Sequence, residues 1–145
     1  MESVFLDHIS VKKMPIIETV GGDVLKVLSN LESECEGFGE VYFSELNPKS
    51  VKAWKYHYKM TLNLVVPLGE VKFVFFKKKN KVDFFKEITI GRSNYSRITV
   101  KPGIWFGFKN ITSKKSIVMN VANIAHEQEE VDRKNVNEIK YNWKK

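Results

Sequence analysis

The chain has 145 residues and a mass of 16.9 kDa, which suits one domain whose core needs no disulfide or metal support. Its formal net charge of +7, from 24 basic and 17 acidic residues, favours an anionic partner such as a nucleotide, a phosphorylated sugar or nucleic acid. Aromatic residues make up 12% of the chain and Cys35 is its single cysteine, which argues against disorder, an internal disulfide and a thiolate zinc cluster.

The sequence gives no sign of a membrane partner. Its first residues lack the basic and apolar regions of a signal peptide. No apolar run approaches the roughly 18 residues that suggest a membrane span. We therefore expect a cytoplasmic protein.

The first part of the chain predicts short extended elements and a polar loop. Residues 4–17 alternate loosely and end near Pro15, which predicts one or two edge strands. Gly21 and Gly22 mark a turn, after which residues 24–28 form a second apolar run. Residues 29–39 are polar and acidic, which predicts a loop with at most one helical turn.

From residue 41 onwards the sequence predicts mainly β-strands. Short apolar runs, separated by Gly, Pro and Asn turns and by a basic loop at 77–81, fall at residues 41–46, 62–66, 71–76, 85–90, 95–100, 104–108 and 117–121, with a further strand starting at residue 51. This spacing predicts an antiparallel sandwich or barrel in a single domain covering residues 1–145. The charged tail, residues 126–145, carries Tyr141 and Trp143 and predicts a short helix or an arm that lies over the barrel or onto a partner subunit.

The stretch from residue 51 to residue 67 carries the clearest functional signal. Side chains of a strand alternate between its two faces. One predicted face is basic, with Lys55, His57 and Lys59, and the other is aromatic, with Trp54, Tyr56 and Tyr58. Because buried charge is costly unless it is paired, the basic face suits a pocket for an anion or polar ligand, although a solvated strand face would show the same pattern.

The sequence does not favour a metal, a cofactor or nucleic acid. Metal-binding barrels bring several histidines and a carboxylate together, and we do not expect His8, His57 and His126 to converge. A serine-nucleophile elbow, a P-loop and a dinucleotide-binding glycine fingerprint are all absent from the sequence. Aromatic residues beside lysines on the central stretch permit nucleic-acid binding only weakly, because they are more typical of core or dimer-interface packing.

Seven segments taken together form a recognisable series. They are residues 37–44 (GFGEVYFS), 52–57 (KAWKYH), 61–63 (TLN), 69–71 (GEV), 91–95 (GRSNY), 101–109 (KPGIWFGFK) and 125–127 (AHE). This series resembles the dTDP-4-dehydrorhamnose 3,5-epimerase-related proteins over roughly residues 20–143. The central stretch also resembles the sugar-nucleotide 3,4-ketoisomerases, a neighbouring branch of the cupin superfamily.

The resemblance implies a fold and an activity. It implies an all-β, cupin-type antiparallel β-barrel (jelly roll) that forms a homodimer and needs no metal or cofactor. It also implies an epimerase or ketoisomerase whose substrate is a nucleotide-linked 4-keto-6-deoxysugar for cell-surface polysaccharide, including lipopolysaccharide. In such a reaction a base removes a proton next to the ketone, a cation or hydrogen-bond donor stabilises the enolate, and an acid returns a proton.

The resemblance also assigns roles to particular residues. His57 is the expected acid/base, and Lys55 is expected to hold the enolate oxygen or a phosphate. The expected substrate-binding residues are Lys59, Asn63, Arg92, Tyr95, Arg97, Trp105 and Asn120. Trp105 is also typical of a barrel mouth or interface, and His126, among acidic neighbours, is expected to be exposed.

The chain departs from the family pattern at four positions. The early Arg-Gly turn that helps to bind the nucleotide sugar is here Gly21-Gly22, without the arginine. Lys55 replaces the first of two histidines on the central strand, and Phe106 replaces a histidine after the Pro-Gly turn. Our alignment puts Met119 where the epimerases carry the tyrosine that serves as the acid. These losses keep open the alternative of a cupin that binds a nucleotide sugar or carbohydrate without turnover. The net charge of +7 keeps open a second alternative, a basic nucleic-acid-binding barrel.

Overall fold

The computed structural model describes residues 4–145, which form β-strands and short 3-10 turns. The strands are β1 (Ile9–Lys13), β2 (Ile16–Ile17), β3 (Val24–Leu25), β4 (Glu40–Leu46), β5 (Val51–His57), β6 (Leu62–Leu68), β7 (Glu70–Lys79), β8 (Val82–Gly91), β9 (Ser96–Val100), β10 (Trp105–Asn110), β11 (Ser116–Ala122) and β12 (Val131–Arg133). The two 3-10 turns span Gln128–Glu130 and Val136–Glu138. Neither turn has the length or apolar character of a membrane-spanning segment, and the described residues contain no longer helix.

Two five-stranded antiparallel sheets build the molecule. The first sheet has the order β1-β9-β6-β11-β4 and the second the order β12-β5-β10-β7-β8, while β2 and β3 form a small separate hairpin. Every strand pair is antiparallel, and most neighbours in a sheet are distant in sequence. The predicted all-β jelly-roll fold is confirmed. The prediction of one domain over residues 1–145 includes residues 1–3, which lie outside the described part.

The core lies between the two sheets and follows the period of two along each strand. Alternate residues of five strands supply its centre: Leu62, Leu64, Val66, Phe73, Phe75, Ile98, Val100, Phe106 and Val118. Burying a side chain of this kind contributes about 1.5–3 kcal/mol, so the alternating apolar pattern is sufficient to fix which face of each strand points inward.

The outer face of each sheet is covered by a terminal segment. Met14, before β2, packs with Val65 and Tyr95 on the outside of the first sheet. Tyr141 and Trp143 pack against the fully buried Trp54 on the outside of the second sheet, with Trp143 5.2 Å from Trp54 between ring centroids. The tail is therefore an arm over the barrel, as one of the sequence alternatives predicted.

Two predicted loops are strand in the structure. Pro67 was expected in a turn, but β6 continues to Leu68, where a register shift against β11 accommodates a residue that cannot donate to the ladder. The expected basic loop at 77–81 shrinks to a two-residue turn, because Asn80 and Lys81 both have positive φ values, of 53° and 64°. Such a turn matches the twist of a hairpin, so the preceding lysines belong to β7.

Candidate active site

Strand β5 brings His57 and Lys55 to the interior. It pairs with β10 on one side and β12 on the other, and both side chains line a cavity between the sheets. Trp54 and Tyr56 point to the outer face, as alternation predicted. Lys59 does not join the basic face, because β5 ends at His57; its exposed ammonium lies 3.6 Å from the Glu127 carboxylate.

The inner cavity combines polar groups with an apolar wall. Its lining residues are Tyr42, Ser44, Lys55, His57, Leu62, Leu64, Phe106, Phe108, Val118 and Asn120. Its own volume is only about 40 Å³, but it shares Ser44, Lys55, Phe106 and Phe108 with a cleft of about 480 Å³ at the barrel surface, which we call the mouth cleft. The mouth cleft has the size of a small-molecule site, and the polar cavity lies at its inner side.

His57 is fixed by a carboxylate from the tail. Its Nδ1 lies 2.6 Å from Oε2 of Glu130, and both residues are buried. The other carboxylate oxygen of Glu130 accepts hydrogen bonds from the backbone N–H groups of Lys59 and Met60. A carboxylate can only accept, so the Nδ1 of a neutral His57 carries the proton and its Nε2 keeps the lone pair. This arrangement leaves Nε2 able to act as a base.

Burial and hydrogen bonds together set the protonation of this pair. Burial lowers the pKa of His57 below its ordinary 6.5, although the hydrogen bond and charge of Glu130 act in the opposite direction. Burial opposes charge on Glu130, but the hydrogen bonds from His57, Met60 and Lys59 outweigh it and hold its pKa below 4.5. At neutral pH the pair is therefore a neutral imidazole beside an anionic carboxylate.

Lys55 lies in a cationic neighbourhood. Arg133 pairs with it across the β5–β12 ladder, and Lys52 and Lys134 also line the mouth cleft. Burial, followed by the charges of Arg133 and Lys52, lowers the pKa of Lys55 below 10.5. Across the described residues, no carboxylate forms an ion pair with Lys55, and Glu138 is the one acidic residue of the mouth cleft.

Asn120 and Tyr42 form a second polar unit in the cavity. The side-chain nitrogen of Asn120 donates to the Tyr42 hydroxyl over 3.0 Å. Asn120 is 2% exposed, and its side-chain oxygen has no hydrogen-bond partner in the described structure. An unpaired buried amide oxygen is costly, so this atom is available to a hydroxyl donor of a ligand.

Three residues expected to bind substrate lie on the outside of the first sheet instead. Asn63 on β6 and Arg97 on β9 alternate with inward-facing residues of their strands, and Tyr95 immediately precedes β9. The Tyr95 hydroxyl donates to the Lys26 carbonyl, and Thr99 donates to Asn63 over 2.6 Å. Arg97, which is fully buried, binds Glu32 at 3.0 Å and Glu34 at 3.2 Å. These contacts hold the loop of residues 26–36 against the sheet.

The remaining expected residues are also away from the cavity. Arg92 is exposed and pairs with Asp23 at 3.0 Å. Trp105 lies on the outer face of β10, where its ring contacts Tyr56 and the Lys134 ammonium lies 5.2 Å from its centroid. Met119, which our alignment put at the position of the acid, packs on the outer face with the cluster that contains Met14, so it does not line the cavity. His126 is exposed as expected.

The sequence prediction missed Glu130, Tyr42 and Arg133. Glu130 stands in a charged tail beside Glu127 and Glu129, and nothing local separates it from its exposed neighbours. Tyr42 does have a signal, because Tyr42, Ser44 and Leu46 alternate along β4 and point inward together. In residues 4–145, no three His, Cys, Asp or Glu side chains form a group that could hold a metal ion.

The chain was compared with known proteins. No protein-family model matches the sequence, and a search of the curated proteins found no match. A dTDP-sugar isomerase from Desulfovibrio desulfuricans G20, of known structure, is 32% identical with a TM-score of 0.87, and the match covers 94% of this chain and 90% of that one.

Two more distant structures share the fold. A sugar 3,4-ketoisomerase from Thermoanaerobacterium thermosaccharolyticum, solved with TDP, is 16% identical with a TM-score of 0.71, over 89% of this chain and 90% of that one. An epimerase from Mycobacterium tuberculosis is 12% identical with a TM-score of 0.75, over 87% of this chain and 68% of that one. The resemblance predicted from the sequence is thus confirmed, and the 32% identity over nearly the whole of both chains shows that this protein belongs to the dTDP-sugar isomerase family.

Proposed function

We propose that the protein is an isomerase that moves a proton at a carbon next to the ketone of a nucleotide-linked 4-keto-6-deoxysugar. The observation that carries this proposal is that His57, held by the buried Glu130 carboxylate, lines one cavity together with Lys55. A neutral imidazole oriented by a carboxylate is a suitable general base near neutral pH. Membership of the dTDP-sugar isomerase family supports an enzyme of this class.

The cavity supplies a role for each step of the reaction. Nε2 of His57 takes the proton from carbon, and the imidazolium that forms is stabilised by Glu130. Lys55 contacts the keto oxygen and stabilises the negative charge that develops there. Tyr42, held by Asn120, supplies a phenolic hydroxyl in the cavity that can return a proton.

The mouth cleft suits the nucleotide diphosphate. Lys52, Arg133 and Lys134 surround it, against a single carboxylate from Glu138. Cations grouped around a cleft attract and orient phosphate groups. Support for dTDP comes from the Desulfovibrio dTDP-sugar isomerase and from the distant ketoisomerase solved with TDP.

We also propose a homodimer. Phe38, Val41 and Phe43 are exposed at and just before edge strand β4, with Phe43 64% exposed. An exposed apolar edge strand is normally protected by pairing or packing. The cytoplasmic location and the role in cell-surface polysaccharide synthesis stay predictions.

The second candidate is a barrel that binds the same nucleotide sugar without turnover. Phe106 favours it, because this residue stacks on the cavity side of His57 at a centroid distance of 6.1 Å and contributes no proton-transfer group. The binding groups of the mouth cleft would serve this candidate equally well.

Solvent deuterium exchange separates the two candidates. The purified protein is incubated in D₂O with dTDP-linked and GDP-linked 4-keto-6-deoxyhexoses, and the sugar is followed by NMR. We expect exchange at a carbon next to the ketone, and we expect His57→Asn to lose exchange while it keeps dTDP binding. Binding without exchange in the unaltered protein would establish the second candidate, and the absence of both would remove the two together.

A further inference from the structure

Lys55 offers a chemistry that proton transfer alone does not use. It lines both the inner cavity and the mouth cleft, and it lies on the same face of β5 as His57. Its side chain is half-buried, and no hydrogen bond or ion pair to it occurs among residues 4–145. A surface lysine would be hydrated, and a structural lysine would be paired. Lys55 has no such partner among the described residues and lines an open cleft, so its nitrogen is available to a ligand.

The charges that face Lys55 favour the neutral amine. Lys52 lies on its own strand, Arg133 is its ladder partner on β12, and Lys134 follows on the same segment. The nearby carboxylate of Glu130 is committed to His57 and two backbone N–H groups, which leaves Glu138 as the acidic group of the cleft. Burial, followed by the charges of Arg133 and Lys52, lowers the pKa of Lys55. Desolvation beside another cation is an arrangement that activates a lysine as a nucleophile toward carbonyl groups.

We propose that Lys55 forms an imine with the C4 ketone of the sugar, so that proton abstraction proceeds through an enamine. This inference rests on the proposed function, since it requires a keto sugar in the cavity. In this mechanism a covalent bond from the Lys55 nitrogen to C4 replaces the electrostatic contact of Lys55 with the keto oxygen. A protonated imine draws electrons from the neighbouring C–H bond more strongly than a ketone does.

The steps balance without an oxidant or reductant. The lone pair of the Lys55 nitrogen adds to C4. The former carbonyl oxygen takes one proton from that nitrogen and one from solvent and leaves as water, which gives a protonated imine. His57 removes a proton from the adjacent carbon, and the electron pair of that C–H bond forms the C=C bond of a neutral enamine. Return of a proton to the same carbon restores the iminium, and water then releases the ketone and the amine.

The imine also selects between the two reactions of the proposed function. In epimerisation C4 is a ketone in both substrate and product, so water can release Lys55 from it. In a 3,4-ketoisomerisation C4 becomes a hydroxyl-bearing carbon, and nitrogen bound there would end as an amine that water does not cleave. The proposed imine therefore implies epimerisation next to a C4 ketone that is retained.

Borohydride trapping tests the imine directly. The protein is mixed with dTDP-4-keto-6-deoxyglucose, sodium borohydride is added, and the intact mass and peptide masses are measured. Hydride reduces C=N to a stable secondary amine. We therefore expect the protein to gain the mass of the sugar nucleotide less that of one oxygen atom, and we expect the peptide masses to locate this adduct on Lys55. Lys55→Arg keeps the positive charge but cannot form an imine, and we expect it to lose the adduct and the deuterium exchange together. Lys115→Arg, at an exposed lysine paired with Glu45, is the matched control and should keep both.

The outcomes distinguish this inference from the proposed function. Exchange in the unaltered protein without a trapped adduct would leave the isomerase in place and overturn the imine. An adduct that persists in Lys55→Arg, or exchange that continues in that variant at the original rate, would also overturn it. A product whose ketone has moved from C4 would contradict the imine while supporting the isomerase. Absence of exchange would remove the proposed function, and the imine with it.

Discussion

The His57–Glu130 pair is where single residues decide the chemistry. Glu130 touches no reacting atom in our mechanism, so it is a positioning residue that acts through His57. Its negative charge stabilises the imidazolium that forms when His57 accepts a proton. Its two oxygens are also used completely, one by Nδ1 and the other by two backbone N–H groups, which explains why a carboxylate from the tail is rigidly placed.

We predict that Glu130→Gln slows turnover and moves its pH profile. Loss of the charge should lower kcat by about 10²-fold, at the lower end of the range for general acid–base catalysis. A neutral His57 is required for proton abstraction, so activity falls as pH drops through the pKa of His57, which lies below 6.5. Because Glu130 raises that pKa, its removal should move the acidic limb to still lower pH.

The measurement is the pH dependence of kcat/KM for both proteins. Glu127→Gln, at an exposed residue that precedes the same turn and pairs with Lys59, is the control and should match the unaltered protein. A fall in rate with an unmoved acidic limb would mean that Glu130 serves the fold alone.

At the scale of elements, the strands could be predicted from the sequence, but the tail residues that contact the site could not. Alternation along β5 puts Lys55 and His57 on one face whatever their neighbours are, so a single sequence suffices for that inference. Glu130 reaches His57 across 73 positions of the chain, and its place depends on the docking of the whole tail. A shift of one residue exchanges the two faces of a strand, so the assignment of β11 as a strand does not by itself decide whether Met119 or its neighbour Asn120 faces the cavity.

The loop of residues 26–36 shows the same difficulty for charged residues. Arg97 follows the Asn94-Tyr95 turn, where the family resemblance predicts a phosphate contact. The structure pairs its guanidinium with Glu32, Glu34 and the Val27 carbonyl on the outer face of the first sheet. The hydrogen bond from Lys12, together with those from Ser29 and Arg97, outweighs burial and lowers the pKa of Glu32 to about 2. Arg97 therefore acts in the attachment of a loop.

We predict that Arg97→Met destabilises the fold and leaves dTDP binding unchanged. Loss of one partner from a buried ion pair should cost about 3 kcal/mol, the low end of the usual range, because Glu32 and Glu34 are partly exposed and can be hydrated. Urea unfolding gives the free energy of unfolding, and calorimetric titration gives the dTDP affinity. Arg92→Met, which breaks only an exposed pair with Asp23, is the control for unfolding. A large loss of dTDP affinity in folded Arg97→Met would return Arg97 to the binding site.

At the scale of the whole molecule, two terminal segments complete a barrel that its sheets alone would leave open. The N-terminal residues cover the first sheet, and the tail covers the second and also delivers Glu130 and Arg133 to the site. The ring contact of Trp143 with Trp54 and the hydrogen bond from Lys109 to the Trp143 carbonyl hold the tail against the second sheet. The same tail carries Glu130, which orients His57, so the tail links stability with catalysis.

The net charge of +7 is a property of the whole molecule, and its distribution separates the isomerase from a nucleic-acid-binding barrel. Several surface cations are already paired, including Lys12, Lys78 and Lys145. The mouth cleft groups Lys52, Arg133 and Lys134 around one concave site instead. A diphosphate fits this pattern better than a long polyanion, which needs a continuous basic surface.

We predict that dTDP binding weakens moderately as salt rises and that oligonucleotides do not bind. Only a few phosphate contacts are made in the cleft, so the slope of log affinity against log salt should be small, whereas a nucleic-acid-binding protein shows a steep slope. Titrations with dTDP and with single- and double-stranded oligonucleotides at roughly 50 to 500 mM salt give both slopes. Lys52→Gln should weaken dTDP binding and flatten its slope, because it removes a cation of the mouth cleft, while Lys115→Gln should change neither. Steeply salt-dependent oligonucleotide binding would favour the nucleic-acid alternative, and equal effects of the two lysine variants would place the diphosphate outside the cleft.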